Sequence, residues 1–210
     1  MLPASGHTLS RSAFRRLIGQ ATTLLGGTLL VSACVSGTSV GIRIDPRAMA
    51  LASPADTALY METQALELQQ LLAESGSVVV RERENIILRL QGIAAFAPDQ
   101  TQVNPEFAAL LVDLAAILTA YDRTHIDVIG YTDATGPMVG NMALSINRAE
   151  AVAALLQSQG LPAERISARG LGPLQPLGGN DTPAGRQLNR RVELTIRPLP
   201  EPALAADPGE

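Results

Sequence analysis

Residues 126–159 read IDVIGYTDATGPMVGNMALSINRAEAVAALLQSQ, and this stretch decides the fold. Ile126 and Val128 alternate with Asp127 and open a strand that stops at Gly130. A polar loop follows, Tyr131-Thr132-Asp133-Ala134-Thr135-Gly136-Pro137. A helix then covers Val139 to Gln159, with Leu144, Ala151, Val152, Leu155 and Leu156 available for a core, and Gly160 and Pro162 end it. A strand feeding a long helix through a short loop is half of a crossover unit, which calls for a sheet with helices layered on one face.

The same signals continue outward. Upstream, Ile86, Leu88 and Leu90 alternate with Ile87, Arg89 and Gln91 in a strand, and Val78-Val79-Val80 running into Arg81-Glu82-Arg83-Glu84 suits a solvated strand or hairpin. Asn104-Pro105-Glu106 starts a helix with a cap, a first-turn proline and an early acid. Its buried face is Phe107, Leu110, Leu111, Leu114, Ile117, Leu118 and Tyr121. Downstream, Ile166 and Ala168 mark a strand, a loop rich in Gly and Pro runs from Gly170 to Gly185, and Val192, Leu194 and Ile196 alternate with charged neighbours in a last strand. The order β-α-β-α-β-β predicts an α/β (α+β) two-layer sandwich with a mixed sheet. Strands joined by helical crossovers are expected to be parallel neighbours, and the last two strands to add an antiparallel element.

Composition narrows the function. The 210 residues are 46% apolar, enough for a real core, and a net charge of −4 argues against nucleic acid as a partner. Every basic residue is Arg, the cation suited to planar, two-point recognition of carboxylates. One Cys and two His exclude an internal disulfide and make a zinc enzyme or other metal cofactor unsupported. No nucleophile, metal or acid–base constellation accompanies the acids Asp127, Asp133 and Glu150, so no enzyme activity is expected.

The first third is organised differently. Arg11, Arg15 and Arg16 precede a mostly apolar run from Leu17 to Ala33, which ends in Val31-Ser32-Ala33-Cys34. This resembles a bacterial lipoprotein signal, and the resemblance implies cleavage of residues 1–33 and lipid on Cys34. Several alkyl chains on one residue make anchoring stable. The alternative is an uncleaved membrane helix over the uncharged span Leu17–Ile42, although its glycines and threonines make it a poor one. Residues 34–53 have the composition of a tether. The 54–75 segment is helical, with Met61, Ala65, Leu68 and Leu72 in one stripe that Leu59, Leu66 and Leu71 widen; it is a docking helix, and its 54–74 part is the candidate surface for protein partners. A Pro-rich tail covers 199–210, after a folded domain of 76–198.

Three blocks in order carry a resemblance to a known family. They are Ile129 to Gly136 (IGYTDATG), Asn141 to Ala149 (NMALSINRA) and Asn180 to Glu193 (NDTPAGRQLNRRVE). The region is similar to the OmpA-like C-terminal domain, the peptidoglycan-binding domain of outer-membrane proteins and of peptidoglycan-associated lipoprotein. Tyr131 stands where the family often has His, and Phe96-Ala97 where it usually has Phe-Asp, which puts one rim contact in question.

The resemblance implies a ligand, the diaminopimelate side chain of the peptidoglycan stem peptide, whose end carries an ammonium and a carboxylate on one carbon. The family's residues map onto Asp133, to accept from the ammonium, and Arg148, to grip the carboxylate. Thr132 and Asn141 are supporting groups and Leu144 packs the floor. Spacing alone favours the blander alternative, a structural salt bridge between Asp133 and Arg148. Arg186, Arg190 and Arg191 are expected to brace a loop through backbone carbonyls rather than form a wall-facing patch. His125 is expected at the surface, and Asn141 either caps its helix or touches ligand. Altogether the resemblance implies a lipoprotein of the outer membrane facing the periplasm, with an anchor of a motor or envelope-assembly complex as the alternative.

Overall fold

The computed structural model describes residues 45–49, 51, 53–91, 95–97 and 100–199. The elements are α1 (Pro54–Leu72), β1 (Val78–Glu82), β2 (Asn85–Gln91), α2 (Pro105–Ala120), β3 (Thr124–Tyr131), α3 (Met138–Ser158), β4 (Ile166–Gly172), α4 (Pro183–Asn189) and β5 (Arg191–Pro198), with single 3-10 turns at Pro46–Ala48 and Ala163–Arg165. The mixed α+β sandwich expected from the sequence is the fold observed. Side-chain caps start several helices: the Ser53 hydroxyl accepts from Asp56 N–H at 3.2 Å and Asn104 Oδ1 from Glu106 N–H at 2.9 Å. Gly160, at φ +97°, closes the stretch after α3 in the left-handed region where a side chain is strained.

The sheet has the order β1-β2-β5-β3-β4. β3 and β4 are parallel neighbours, as the crossover through α3 requires. The other expected neighbours are not adjacent: β5 inserts between β2 and β3 and runs antiparallel to both. Only β5, and not β4, therefore supplies the antiparallel element at the C-terminal end. The reason lies in β5 itself, whose Val192, Leu194 and Ile196 are at most 1% exposed, the burial of a central strand. β1 and β2 form the hairpin that the alternating charges suggested, turning between Glu82 and Asn85. The Gly- and Pro-rich loop, expected to run to Gly185, ends at α4, which begins at Pro183.

The inner face of the sheet (Ile86, Leu88, Ile126, Val128, Leu194) and the apolar faces of α1, α2 and α3 share one core. Met61, Ala65, Leu68 and Leu72 of α1 are buried in it as their spacing predicts. Leu59 and Leu66 do not widen that stripe; they are 52% and 59% exposed. At 100° per residue, each lies about 200° from the buried residue two places on, on the far side of the helix. In the stretch expected to be a tether, Asp45 caps the 3-10 turn through its carboxylate, and Met49 and Leu51 pack on the core. Cys34, the 1–33 leader and residues 200–210 of the tail lie outside the described residues. Among the described residues no helix is long and apolar enough to cross a membrane.

Candidate functional site

The parallel pair β3–β4 and the helix between them build the site. Glycines make the approach close. Gly130 and Gly170 are register partners, and Ser145 of α3 lies over both. The Ser145 hydroxyl accepts from Gly172 N–H at 2.9 Å and donates to the Met142 carbonyl at 2.8 Å. Thr132 N–H then donates to the Gly172 carbonyl at 2.8 Å, so the strand end and its loop are held from below.

Above this floor opens a cleft of about 760 Å³. Thr132, Asp133, Asn141, Leu144 and Arg148, all singled out from the sequence, line it. Phe96, Ala97, Gln100 and residues 102–105 also line it, as do Arg186 and Arg190. A smaller recess of about 320 Å³ shares Thr135, Asn141 and Leu144 with the cleft and continues toward Gly136, Pro137 and Gly140.

Asp133 and Arg148 do not form the salt bridge that their spacing allowed. Asp133 Oδ2 accepts from Arg190 Nη1 at 2.5 Å, and its Oδ1 accepts from Thr135 N–H at 2.9 Å. Arg148 is 6% exposed; its Nε donates to the Gln100 carbonyl at 3.0 Å and its Nη2 to the Ala97 carbonyl at 3.3 Å. The guanidinium carbon also lies 5.1 Å from the centre of the Phe96 ring, within cation–π range. Ala97, the departure from the usual Asp, thus meets Arg148 through its backbone.

Asn141 neither caps α3, whose N-cap is Pro137, nor stands alone: its amide donates to the Thr135 carbonyl at 2.9 Å and pins the Asp133 loop. Thr132 is 4% exposed and, among the described residues, its hydroxyl oxygen has no hydrogen-bond partner. Such a group costs free energy until something pairs with it.

The three C-terminal arginines divide their work. Arg186 braces the loop as expected, with Nη1 donating to the carbonyls of Asn180 at 2.9 Å and Asp181 at 3.3 Å. Arg190 is not a carbonyl brace but the counter-ion of Asp133. Arg191 also braces carbonyls as expected, donating through Nη2 to Gln175 at 3.2 Å and through Nη1 to Asn189 at 3.4 Å, while it pairs with Glu193 at 2.9 Å and stacks 3.7 Å from the centre of the Tyr131 ring. Tyr131 is therefore buried under an arginine and reaches Gln175 through its hydroxyl at 3.4 Å. His125 is partly exposed and lies 3.3 Å from Asp127.

The Arg190 contact was the residue-level feature missed from the sequence. Its signal is topological: Gly130 pairs with Val192, so the residues just before β5 stand beside the loop that follows β3.

Burial pushes the Asp133 carboxyl upward, but the hydrogen bonds from Arg190 and Thr135 outweigh it and hold its pKa below the ordinary carboxylate value. A carboxyl depressed in the folded state adds stability above its unfolded pKa and loses it as pH falls through the folded value. In Arg190→Gln the burial effect meets less opposition. Carboxyl-detected NMR titration is expected to show the Asp133 midpoint moving up, with acid unfolding beginning at higher pH; an unmoved midpoint would contradict the pairing. Among the described residues no group of three or more His, Cys, Asp or Glu could hold a metal ion.

The OmpA family profile matches residues 95–190, which include the three arginines of the cleft, Arg148, Arg186 and Arg190. The probable lipoprotein YiaD of Escherichia coli (strain K12) is 41% identical over 140 residues, covering 67% of this chain and 64% of that protein. The peptidoglycan-binding protein ArfA of Mycobacterium tuberculosis is 37% identical over 105 residues, 50% of this chain and 32% of that one. The solved structure of the cell wall anchor of the T6SS from Pseudomonas aeruginosa superposes with a TM-score of 0.57 at 29% identity, covering 62% of this chain and 96% of that one. The chain spans less than two thirds of the length of either relative. With the three motif blocks gathered around one cleft and the family profile spanning nearly all of their residues, residues 95–190 form an OmpA family domain.

Proposed function

We propose that the chain is a non-catalytic lipoprotein of the outer membrane that binds the diaminopimelate end of peptidoglycan stem peptides and so ties the membrane to the cell wall. The observation that carries this is the meeting of Asp133 and Arg148, fifteen positions apart in sequence, on the lining of one open cleft. An amino-acid head needs an anion for its ammonium and a cation for its carboxylate within one ligand's reach. Asp133 keeps its charge through its depressed pKa, and arginine keeps its charge at any physiological pH. The Thr132 hydroxyl, unpaired among the described residues, supplies a further hydrogen-bonding group. Among the described residues Asp133 is the one carboxylate lining the cleft.

Two charge-assisted contacts of about 1.5–3 kcal/mol each, less the cost of association, give weak single sites, on the order of micromolar at best. A wall polymer repeats the ligand many times and a membrane-held protein rebinds, so weak sites suffice. The test is co-sedimentation with purified peptidoglycan. Wild-type protein is expected in the pellet, and Asp133→Ala and Arg148→Ala in the supernatant; variants that pellet like wild type would refute the site.

Likeness to the type VI cell wall anchor favours one second reading, an envelope-complex anchor held by an uncleaved N-terminal helix. Mass spectrometry of the mature N-terminus separates the two. The lipoprotein reading expects diacylglycerol on Cys34 and loss of residues 1–33; an intact, unmodified N-terminus supports the anchor.

A further inference from the structure

Arg186 lines the same cleft, and its charge is unbalanced there. Its guanidinium is bonded through Nη1 to two backbone carbonyls and, among the described residues, makes no ion pair with a carboxylate. Arg190, beside it, is already matched by Asp133. A ligand head carrying one ammonium and one carboxylate brings no net charge, so it leaves Arg186 as it found it. The position is also rigidly presented. Asn189 Oδ1 accepts from the N–H groups of Leu177 and Gly178, and its amide donates to the Gly178 carbonyl and to Asn180 Oδ1. Asn180 Oδ1 in turn accepts from Ala134 N–H at 3.0 Å, which ties the Arg186 loop to the Asp133 loop. Gly185 packs so tightly on Gly179 that a Cβ there would lie 2.0 Å from its carbonyl oxygen. This cation is therefore held in place before ligand arrives, in a chain whose net charge is −4.

We infer that Arg186 is a specificity-determining residue that recognises a second free carboxylate on the ligand, one outside the zwitterionic head; the inference rests on the diaminopimelate assignment above. A stem peptide offers near the head the α-carboxylate of the preceding γ-linked glutamate and, where the stem ends at diaminopimelate, the carboxyl at its peptide-linked centre. Arg186 thus makes the cleft discriminate acid from amidated wall peptides.

The probes are N-acetyl-γ-D-glutamyl-meso-diaminopimelate and its two monoamides, one at each of those carboxyls, with the far head intact in all three. In calorimetric titrations at low salt, the wild-type chain is expected to bind the full acid about tenfold more tightly than one of the monoamides, the effect of one partly exposed charge-assisted contact. Which monoamide is weakened identifies the carboxylate. Arg186→Gln is expected to bring that ratio below about twofold, and Arg186→Lys to retain part of it. The ratio is taken within one protein, so partial unfolding of a variant does not alter it. Equal binding of the acid and both monoamides by wild type, or an undiminished ratio in Arg186→Gln, overturns the inference and leaves the diaminopimelate assignment standing. Failure of all three peptides to bind overturns both.

Discussion

Arg165→Met is expected to cost the fold about 4 kcal/mol, with a fall in Tm on the order of 8–16 °C. Arg165 is 7% exposed, and its guanidinium is surrounded by oxygens. Nε donates to the Thr124 carbonyl at 2.7 Å; Nη2 donates to the carbonyls of Leu118 at 3.0 Å and Tyr121 at 2.7 Å and to the Thr124 hydroxyl at 2.9 Å. Leu118 and Tyr121 stand at the C-terminal end of α2, where carbonyls have no intrahelical donor left. The arginine side chain reaches back from the turn before β4 and closes that end, and it also holds the first residue of β3. Burial draws the Arg165 pKa down, but a guanidinium starts so high that it stays charged. Methionine fills the volume and supplies no donor, leaving buried carbonyls unpaired. Arg165→Lys is expected to fall between the two, since one ammonium cannot reach every acceptor. Thermal unfolding followed by circular dichroism measures this; a Tm within about 2 °C of wild type would show that the acceptors find other partners.

Gly130→Ala is expected to do comparable damage by a different route, roughly 3 kcal/mol. A Cβ at Gly130 would lie 2.1 Å from the Ser145 carbonyl oxygen and 2.9 Å from its carbonyl carbon. Both atoms belong to the backbone of α3 and cannot rotate aside, so the helix must lift. At Gly170 an added Cβ would meet the Ser145 hydroxyl at 2.2 Å and Ile146 N at 2.4 Å, so the pair cannot share the strain. Lifting α3 also moves Asn141, Leu144 and Arg148 away from Asp133, so ligand binding is expected to fall more than the remaining folded fraction explains. Gly140→Ala is the control, because a Cβ there meets nothing within 4 Å. Equal melting of Gly130→Ala and Gly140→Ala would contradict the close approach of α3 to the sheet.

These two positions also show where the sequence was legible. The strand–loop–helix of 126–159 announced itself through alternation, a polar loop and a Gly-Pro stop, all local signals. The insertion of β5 between β2 and β3 has no local signal: it follows from the burial of Val192, Leu194 and Ile196 on a strand flanked on both sides, which only the assembled sheet reveals. α4 escaped for a related reason. Its sequence PAGRQLN is seven residues with little apolar periodicity, and its helix is held by the Thr182 cap, where Oγ1 accepts from Gly185 N–H at 3.1 Å, and by Asn189. Among site residues, Asp133 and Arg148 were reached through the motif blocks. The Asp133–Arg190 pair was not, because it depends on strand order. Leu59 and Leu66 were misassigned to the buried stripe by composition, although the helical angle alone places them outside it.

The central claim is that one cleft reads an ammonium and a carboxylate on the same carbon. Lysine ends in the ammonium without that carboxylate, so two stem tripeptides differing only in diaminopimelate or lysine at the third position isolate the contact. Calorimetric titration of the full chain with each is the most direct measurement. The account predicts that the diaminopimelate peptide binds at least about tenfold more tightly than the lysine peptide, as loss of one charge-assisted pair requires, and that Asp133→Ala abolishes binding of both. Equal affinity for the two peptides, or an Asp133→Ala protein that binds as wild type does, would contradict it.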